Sequence, residues 1–256
     1  MSDPAVAPTG KRQRWGTIAF VALMLALTAL FVVLGLWQWQ RLGEKDALIA
    51  TVASRMDRAP APLPAATGWA TLDTDFYDYR PLTVTGTWLP EETVLVFTSL
   101  AAPRGRYSGP GYWVMTALAL PEGGTVIVNR GFVPQESATA FADGGATAAG
   151  VQTLTGVGRA PERSGSFTPG ADVVRRIEWV RDPVRLARLL DPDLAPVAPI
   201  YLDLPAGEAG ALPQGGETVV AFPNNHLGYA MTWFGFALLT PVLLAFWLLR
   251  RPAPAP

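Results

Sequence analysis

A long apolar stretch stands near the N-terminal end of the chain. No charged residue occurs between residues 15 and 40, and residues 18–36 are apolar apart from Thr28. As a helix, the charge-free run would be about 39 Å long, which exceeds the hydrocarbon core of a bilayer, about 30 Å thick. A cleavable signal peptide is the alternative, but it would have a shorter apolar region followed by small residues, where this chain has Trp37 and Trp39. The pattern therefore predicts an uncleaved transmembrane helix over residues 15–40.

A second apolar stretch lies near the other end. The chain is charge-free from residue 218 to residue 249, and its most apolar part, residues 227–249, would be about 34 Å long as a helix. Pro223 and the two asparagines that follow it are typical of a helix start, and Pro241 predicts a kink inside the helix. Two packed helices of a soluble protein are the alternative, but such helices carry a polar face that both stretches lack. The pattern predicts a second transmembrane helix over residues 223–249.

The charged residues that flank the two stretches predict their orientation. Basic residues precede the first stretch and follow the second, namely Lys11, Arg12, Arg14, Arg250 and Arg251. By the positive-inside rule, both termini are expected in the cytoplasm and the middle of the chain on the far side of the membrane. The predicted divisions are a cytoplasmic tail at 1–14, helices at 15–40 and 223–249, a periplasmic β-rich domain at 41–222, and a cytoplasmic tail at 250–256.

Between the two stretches the pattern changes to that of strands. Residues 79–88 alternate and are rich in β-branched and aromatic side chains, and further strand candidates are residues 93–99, 112–120, 125–133 and 152–157. Short Gly/Pro turns between them favour antiparallel pairing, because parallel crossovers need a dozen or more residues. Short helices are expected at 73–77 and 183–190, and loops at 137–150 and 205–217. The predicted fold is two transmembrane α-helices flanking a mixed α+β extracytoplasmic domain built on an antiparallel β-sheet or partial barrel.

The composition narrows the possible functions. The chain has 256 residues, of which 50% are hydrophobic and 16% charged, with a net charge of −1, so no basic field exists to hold nucleic acid. Cysteine is absent, which excludes thiolate metal sites, iron–sulfur clusters and thiol redox catalysis. There is one histidine, so a multi-histidine metal site is excluded as well. No paired acid and base or nucleophile motif is recognisable, and the chain is therefore not expected to be an enzyme.

His226 is the candidate ligand, in the first turn of the second predicted span. On a helix, Tyr229, Ala230, Trp233 and Ala237 continue from it along one face. That face predicts an imidazole above an aromatic and small-residue groove, a cradle for a flat apolar ligand such as a porphyrin. The alternative is an interfacial histidine that points into lipid headgroups, and the residues alone leave both interpretations open.

Polar positions elsewhere have two interpretations each. Trp37, Gln38 and Arg41 at the outer end of the first span either complete a ligand site, with Arg41 paired to an anionic group, or form an ordinary aromatic belt with a snorkelling arginine. In the central domain, Arg80 before a proline and the Asn-Arg-Gly string at 129–131 are either functional or turn residues that satisfy backbone carbonyls. The residues alone do not separate these alternatives.

Five strings in this order resemble the Surfeit locus protein 1 family. They are GLWQWQR at 35–41, YRPLTVTG at 79–86, GPGY at 109–112, VNRGFVP at 128–134 and PNNHLGYAMTWF at 223–234. The resemblance covers nearly everything from Gly35 to Arg250. Each string is modest alone, but their order and the matching predicted topology make the resemblance specific.

This resemblance implies an assembly factor of haem–copper cytochrome oxidase in the bacterial inner membrane. It implies transient binding of haem a, with His226 as the axial ligand of the haem iron and Trp37, Gln38, Arg41, Tyr229 and Trp233 around it. The expected partners are oxidase subunit I, the haem a synthesis machinery and membrane lipids. The alternative is a membrane-anchored scaffold that docks oxidase subunits without itself carrying haem. Copper delivery is disfavoured, because soft thiolate ligands are missing.

Overall fold

The computed structural model describes residues 9–218 and 222–250. These divide into two compact units, the first made of residues up to 50 and from 222 onward, the second of residues 51–218. Helix α1 runs over Thr9–Met56 and helix α4 over His226–Leu249, and α4 continues through Pro241. Both are long and apolar enough to cross a membrane, as the sequence predicted. The predicted tails at 1–14 and 250–256 lie mostly outside the described residues, as do Arg251 and the side chains of Lys11 and Arg12.

The first unit is an antiparallel pair of helices. The contacts between them run in opposite order along the two helices: Phe20 with Trp247, Phe31 with Trp233 and Phe236, Gly35 with Phe234, and Gln38 with His226. The large apolar side chains outside this seam remain exposed, Leu30 and Leu238 among them. A helix pair that leaves most of its apolar surface uncovered by protein is suited to a lipid environment.

The second unit is built on a seven-stranded sheet. Its strands are β1 (Ala61–Pro62), β2 (Pro81–Leu100), β3 (Gly109–Ala119), β4 (Thr125–Pro134), β5 (Val151–Arg159), β6 (Ile177–Glu178) and β7 (Val197–Asp203). The long strand β2 joins two segments that the sequence predicted as separate strands, and its register with β3 shifts between Leu89 and Thr93. The predicted strands therefore exist, with two of them continuous across that irregularity.

The sheet is mixed. Pairings β2–β3, β3–β4, β2–β5 and β5–β7 are antiparallel, whereas β1–β2, β2–β6 and β4–β7 are parallel. The path of pairing from β2 through β3, β4, β7 and β5 returns to β2. The expected antiparallel pairing is present, but it does not account for the parallel pairings of β1, β6 and β7. Strand β7 lies parallel to β4 because β5, β6 and a short helix separate the two along the chain.

Two short helices pack against the sheet, α2 beside β5 and β7 and α3 beside β7. Helix α2 covers Thr74–Tyr77, and the Asp73 side chain accepts hydrogen bonds from two amides of its first turn. Helix α3 covers Pro183–Ala187 and is capped in the same way by Asp182. Leu186 is fully buried against strand β7 and the other apolar residues of the core. Both helices lie where the sequence predicted them, although α3 ends earlier than the predicted residue 190.

Candidate functional site

Gln38 and His226 contact each other at one end of the helix pair. The Oε1 atom of Gln38 lies 2.7 Å from Nδ1 of His226, Gln38 is buried, and the imidazole is half-buried. A glutamine carbonyl oxygen only accepts hydrogen bonds, so in this arrangement Nδ1 carries the proton and Nε2 keeps its lone pair. Histidines that bind metals have this arrangement, in which a second residue holds one ring nitrogen and the other is free to coordinate.

The chain just before His226 is fastened to α1. The Asn224 side chain donates a 2.8 Å hydrogen bond to the Asp46 carboxylate, and the Lys45 ammonium lies 5.0 Å from the centre of the Phe222 ring. These contacts fix where α4 begins, and therefore the height at which its first residue meets α1. Asn225 stands at the cap position of α4, but its side chain forms no capping hydrogen bond, and Asn224 is the tie to α1 instead.

The predicted groove beneath His226 is filled by α1. Ala230 is fully buried, and the Trp233 ring is stacked on Phe31 with 5.8 Å between the ring centres. The close approach depends on Gly35, because a Cβ atom there would lie 2.5 Å from the Phe234 ring. The face of α4 that the sequence proposed as an open cradle is therefore the packing face of the helix pair, and Trp233 lies inside the seam.

Trp37, Arg41 and Tyr229 are exposed beside the Gln38–His226 contact. Arg41 forms a 2.8 Å salt bridge with Glu44, and its guanidinium lies 5.9 Å from the centre of the Trp37 ring. Each residue advances by about 100° around a helix, so Trp37 and Arg41 are rotated backwards from Gln38 around α1, by about 100° and 60°. Tyr229 is rotated backwards from His226 around α4 by about 60°. In two antiparallel helices that face each other, rotations of the same sense lead to the same side of the pair, so these three residues share one exposed flank.

The polar positions predicted in the central domain have structural partners. Asn129 donates a 2.8 Å hydrogen bond to Asp203, and Arg130 donates to the backbone oxygens of residues 144 and 146. Gly131 has φ +133°, and a Cβ atom there would lie 2.3 Å from the backbone of Gln214. The Asn-Arg-Gly string therefore lies within strand β4, beside a register shift in its pairing with β3, and the expected turn is not there. Arg80 is placed over the Phe76 ring at 3.5 Å.

A buried charge network around Asp203 has no counterpart in the sequence predictions. Its carboxylate accepts hydrogen bonds from Asn129, Thr218 and Arg159, and Arg181 lies 3.9 Å from it. Arg159 also pairs with Asp78 at 2.9 Å. The only sequence signal was a carboxylate at the end of an apolar run, since its partners are scattered from residue 78 to residue 218.

The network shifts the pKa values of its members. Burial alone would raise the pKa of the Glu162 carboxyl, but the charge and hydrogen bonds of Arg181 hold it below its usual value. Burial raises the pKa of the Tyr201 phenol well above its ordinary value. Glu162 is paired with Arg181 although its side chain is 37% exposed, whereas the buried Tyr201 hydroxyl has no hydrogen-bond partner among the residues described. Removing one member of such a network costs stability, because it leaves buried polar groups without a partner.

The predicted loop at 205–217 is ordered by two side chains. Glu217 accepts hydrogen bonds from the amides of Arg104 and Gly105, and Gln214 exchanges hydrogen bonds with the backbone of Tyr107. Between this loop and strand β5 lies a cleft of about 640 Å³. Its lining consists mostly of glycine, alanine and proline residues, and it also includes Asp203, Arg104 and Glu208.

Known proteins resemble this chain over most of its length. The model of the SURF1 family matches residues 25–238. A SURF1-like protein of Monosiga brevicollis is 30% identical over 237 residues, which cover 89% of this chain and 86% of that protein. Surfeit locus protein 1 of Homo sapiens is 30% identical over 259 residues, covering 94% and 81% of the two chains, and that of Mus musculus is 30% identical over 239 residues, covering 89% and 75%.

Proposed function

Because the chain belongs to the SURF1 family, we propose that it is an assembly factor for haem–copper cytochrome oxidase. In this proposal α1 and α4 anchor the protein in the inner membrane, with both termini in the cytoplasm and the sheet domain in the periplasm. The protein binds haem a transiently and aids its insertion into the catalytic subunit of the oxidase. Its partners are oxidase subunit I and the haem a synthesis machinery, and haem a is cargo rather than a resident cofactor.

The observation that carries this proposal is the contact between Gln38 and His226. It leaves Nε2 of a half-buried imidazole with a free lone pair at the end of an apolar helix pair, which fits one axial bond to a haem iron. In this proposal His226 alone supplies a strong bond, since no cluster of three metal-ligating side chains exists among residues 9–218 and 222–250. A single ligand suits hand-over, because a second strong axial bond would slow release.

The exposed flank formed by Trp37, Arg41 and Tyr229 supports a place for the macrocycle. The seam between the helices is closed by packed rings, so a flat apolar ligand bound to His226 would lie against this flank and not between the helices. Trp37 and Tyr229 offer aromatic surface, and each is about half exposed. Arg41 would exchange its salt bridge with Glu44 for a carboxylate of the ligand, since both are oxygen partners of a guanidinium. Trp233 lies in the seam and would not contact the ligand; its packing on Phe31 would hold α4, and with it His226, in place.

The test is a visible absorption spectrum of the purified full-length chain, co-expressed with haem a synthesis enzymes. We expect a haem signal in the wild type that is lost in His226→Ala and reduced in Gln38→Leu. Gln40→Leu is the matched control, because Gln40 lies on the same helix, is exposed and bonds to Glu44.

The rival function is a scaffold that docks oxidase subunits without carrying haem. It predicts that oxidase assembly fails on substitutions in the sheet domain while the haem content of the protein stays constant. A His226→Ala protein that keeps its haem and still supports oxidase assembly would contradict the ligand assignment.

A further inference from the structure

A segment of the second unit, residues 165–176, forms two consecutive tight turns. In the first, the Gly165 amide donates a 2.8 Å hydrogen bond to the Thr168 hydroxyl, and the Thr168 amide donates a 3.1 Å bond to the Gly165 oxygen. Ser166 and Phe167 are the two central residues of this turn. The hydrogen bonds fix the backbone, so Phe167 is held outward by the turn itself.

The second turn is closed by a pair of backbone bonds between Asp172 and Ile177, at 2.9 and 3.0 Å. The Asp172 carboxylate also accepts a 3.0 Å hydrogen bond from the amide of Arg175. Val173 and Val174 lie at the tip of this turn. We call residues 165–176 the two-turn loop.

Apolar side chains at the two tips have no contact that explains them. Phe167 is 98% exposed, Val174 95% and Val173 69%. Turn tips usually carry glycine, asparagine, aspartate or serine, because these residues suit turn backbones and water. Three apolar side chains this exposed at the tips of one loop do not stabilise the fold. Such exposed apolar groups indicate contact with something apolar outside the protein.

The surroundings of the tips are aromatic and basic. The Trp179 indole donates a 3.3 Å hydrogen bond to the Gly170 oxygen and packs on Phe97, whose ring is 5.1 Å away. The Arg175 side chain is 77% exposed with one long 3.9 Å pairing to Asp172, and Arg163, just before the loop, is exposed beside Asp75, Glu162 and Asp182. Arg176 is occupied by the Glu91 oxygen and by Glu92. Apolar tips, an indole at their base and two exposed arginines are the composition of segments that lie in the headgroup region of anionic membranes.

We propose that the two-turn loop inserts Phe167, Val173 and Val174 into an anionic lipid leaflet. This inference rests on the membrane anchorage in the proposed function, but not on haem binding. A domain anchored to a bilayer at both of its ends stays near the lipid surface, so even a weak interfacial affinity is sufficient for contact. The two arginines favour lipid over a protein surface of unspecified charge. A protein partner is the competing occupant, and the experiment separates the two.

The absence of cysteine from the chain makes a single-label experiment clean. Ser166→Cys places an environment-sensitive fluorophore beside Phe167 while leaving all three apolar tips intact. The full-length protein is reconstituted into nanodiscs of phosphatidylcholine alone and of phosphatidylcholine with phosphatidylglycerol. Val151→Cys, which lies on β5 and is 62% exposed, is the matched label outside the loop. Leu30→Cys on α1 reports whether the helices are in the bilayer.

We expect the Ser166 label to emit at shorter wavelength and to be quenched by brominated lipid in the anionic discs, with the Val151 label unchanged. Adding Phe167→Ser or the double change of Val173 and Val174 to serine should abolish this response. Neutralising Arg163 or Arg175 with glutamine should lower the ratio of inserted to water-facing loop by roughly fivefold for each arginine.

A Ser166 label that stays as water-exposed as the Val151 label in both kinds of disc overturns the proposal, and leaves a protein partner as the occupant of the tips. If the helices are not in the bilayer, the label at Leu30→Cys would not be quenched by brominated lipid, which is a separate result. Loss of haem binding would change none of these readings.

Discussion

The contact between Gln38 and His226 leads to a prediction about where a single proton resides. His226 is the one histidine of the chain, so protein labelled with ¹⁵N-histidine contains one imidazole whose two nitrogens can be followed by NMR. If Gln38 Oε1 accepts from Nδ1 at 2.7 Å, the neutral ring carries its proton on Nδ1. The Gln38→Leu variant puts an apolar side chain of similar size at this buried position and removes the oxygen that accepts the hydrogen bond from His226.

The expected size of the effect follows from the strength of one hydrogen bond. A hydrogen bond of this kind contributes about 0.5–1.5 kcal/mol net. At about 1 kcal/mol, its loss changes the ratio of the two neutral tautomers by roughly fivefold in favour of the proton on Nε2. That change also moves the free lone pair away from Nε2, the atom proposed to bind the haem iron. Weaker haem retention in Gln38→Leu is therefore expected for the same physical reason.

The assay is the pair of ¹⁵N chemical shifts of His226 at a pH where the ring is neutral, in detergent or nanodiscs. The wild type should show a protonated Nδ1 and an unprotonated Nε2, and Gln38→Leu should move both shifts toward the other tautomer. Gln40→Leu should leave both shifts unchanged. A wild-type spectrum with the proton on Nε2 would refute the reasoning, because the amide group of Gln38 would then face the ring with its nitrogen.

Three further predictions concern packing and buried charge. Gly35→Ala should cost about 1–3 kcal/mol through overpacking and abolish the Nδ1–H signature, whereas Gly43→Ala, where a Cβ meets nothing within 4 Å, should be neutral in thermal melts and NMR. Asp203→Ala should destabilise the sheet domain by about 1–3 kcal/mol, because it leaves the buried Asn129 and Thr218 donors without their acceptor, and a lower urea midpoint would show it. Arg181 holds the pKa of Glu162 below its usual value, so the pair stabilises the folded protein at pH values above the pKa that Glu162 has in the unfolded chain. This stabilisation is lost as the pH falls through the pKa of Glu162 in the folded protein. Glu162→Gln should therefore flatten the acid side of the stability–pH curve, and an unchanged curve would contradict this assignment.

Sequence pattern predicted the helices well because their signal is strong and local. Two charge-free runs longer than a bilayer is thick have few alternative structures in water or lipid. The way the helices pack did not follow from the same pattern, because nearly every position in both runs is apolar. Gly35 shows the reason: its importance comes from the Phe234 ring, which lies about 200 positions further along the chain.

Strand β7 illustrates what alternation alone misses. Pro196 precedes it and Pro199 lies within it, and prolines normally argue against a strand. It forms nonetheless, because it pairs in parallel with β4 and its side chains fill the core, with Ala198 and Tyr201 fully buried. Asp203, at the end of β7, then contacts partners from distant parts of the chain. Both facts depend on long-range contacts, which a local pattern does not encode.

The arrangement of the candidate site did not follow from the sequence. His226 and Gln38 were both expected at the outer ends of the spans, and the structure adds that they bond to each other. The expected groove was wrong, because Trp233 and Ala230 pack against α1. Helical spacing says which residues share a face, but it does not say whether that face is open or covered.

The covered seam also bears on how long a bound ligand would remain. Differences in affinity among related complexes arise mostly from dissociation rates, and enclosure of a ligand slows dissociation. A macrocycle held by one bond from His226, and resting on a flank where Trp37 and Tyr229 are half exposed, keeps one face accessible to an acceptor protein. A groove inside the helix pair would require the helices to separate before release. In the proposed function, the closed packing around Gly35 would therefore favour passing the haem on over storing it.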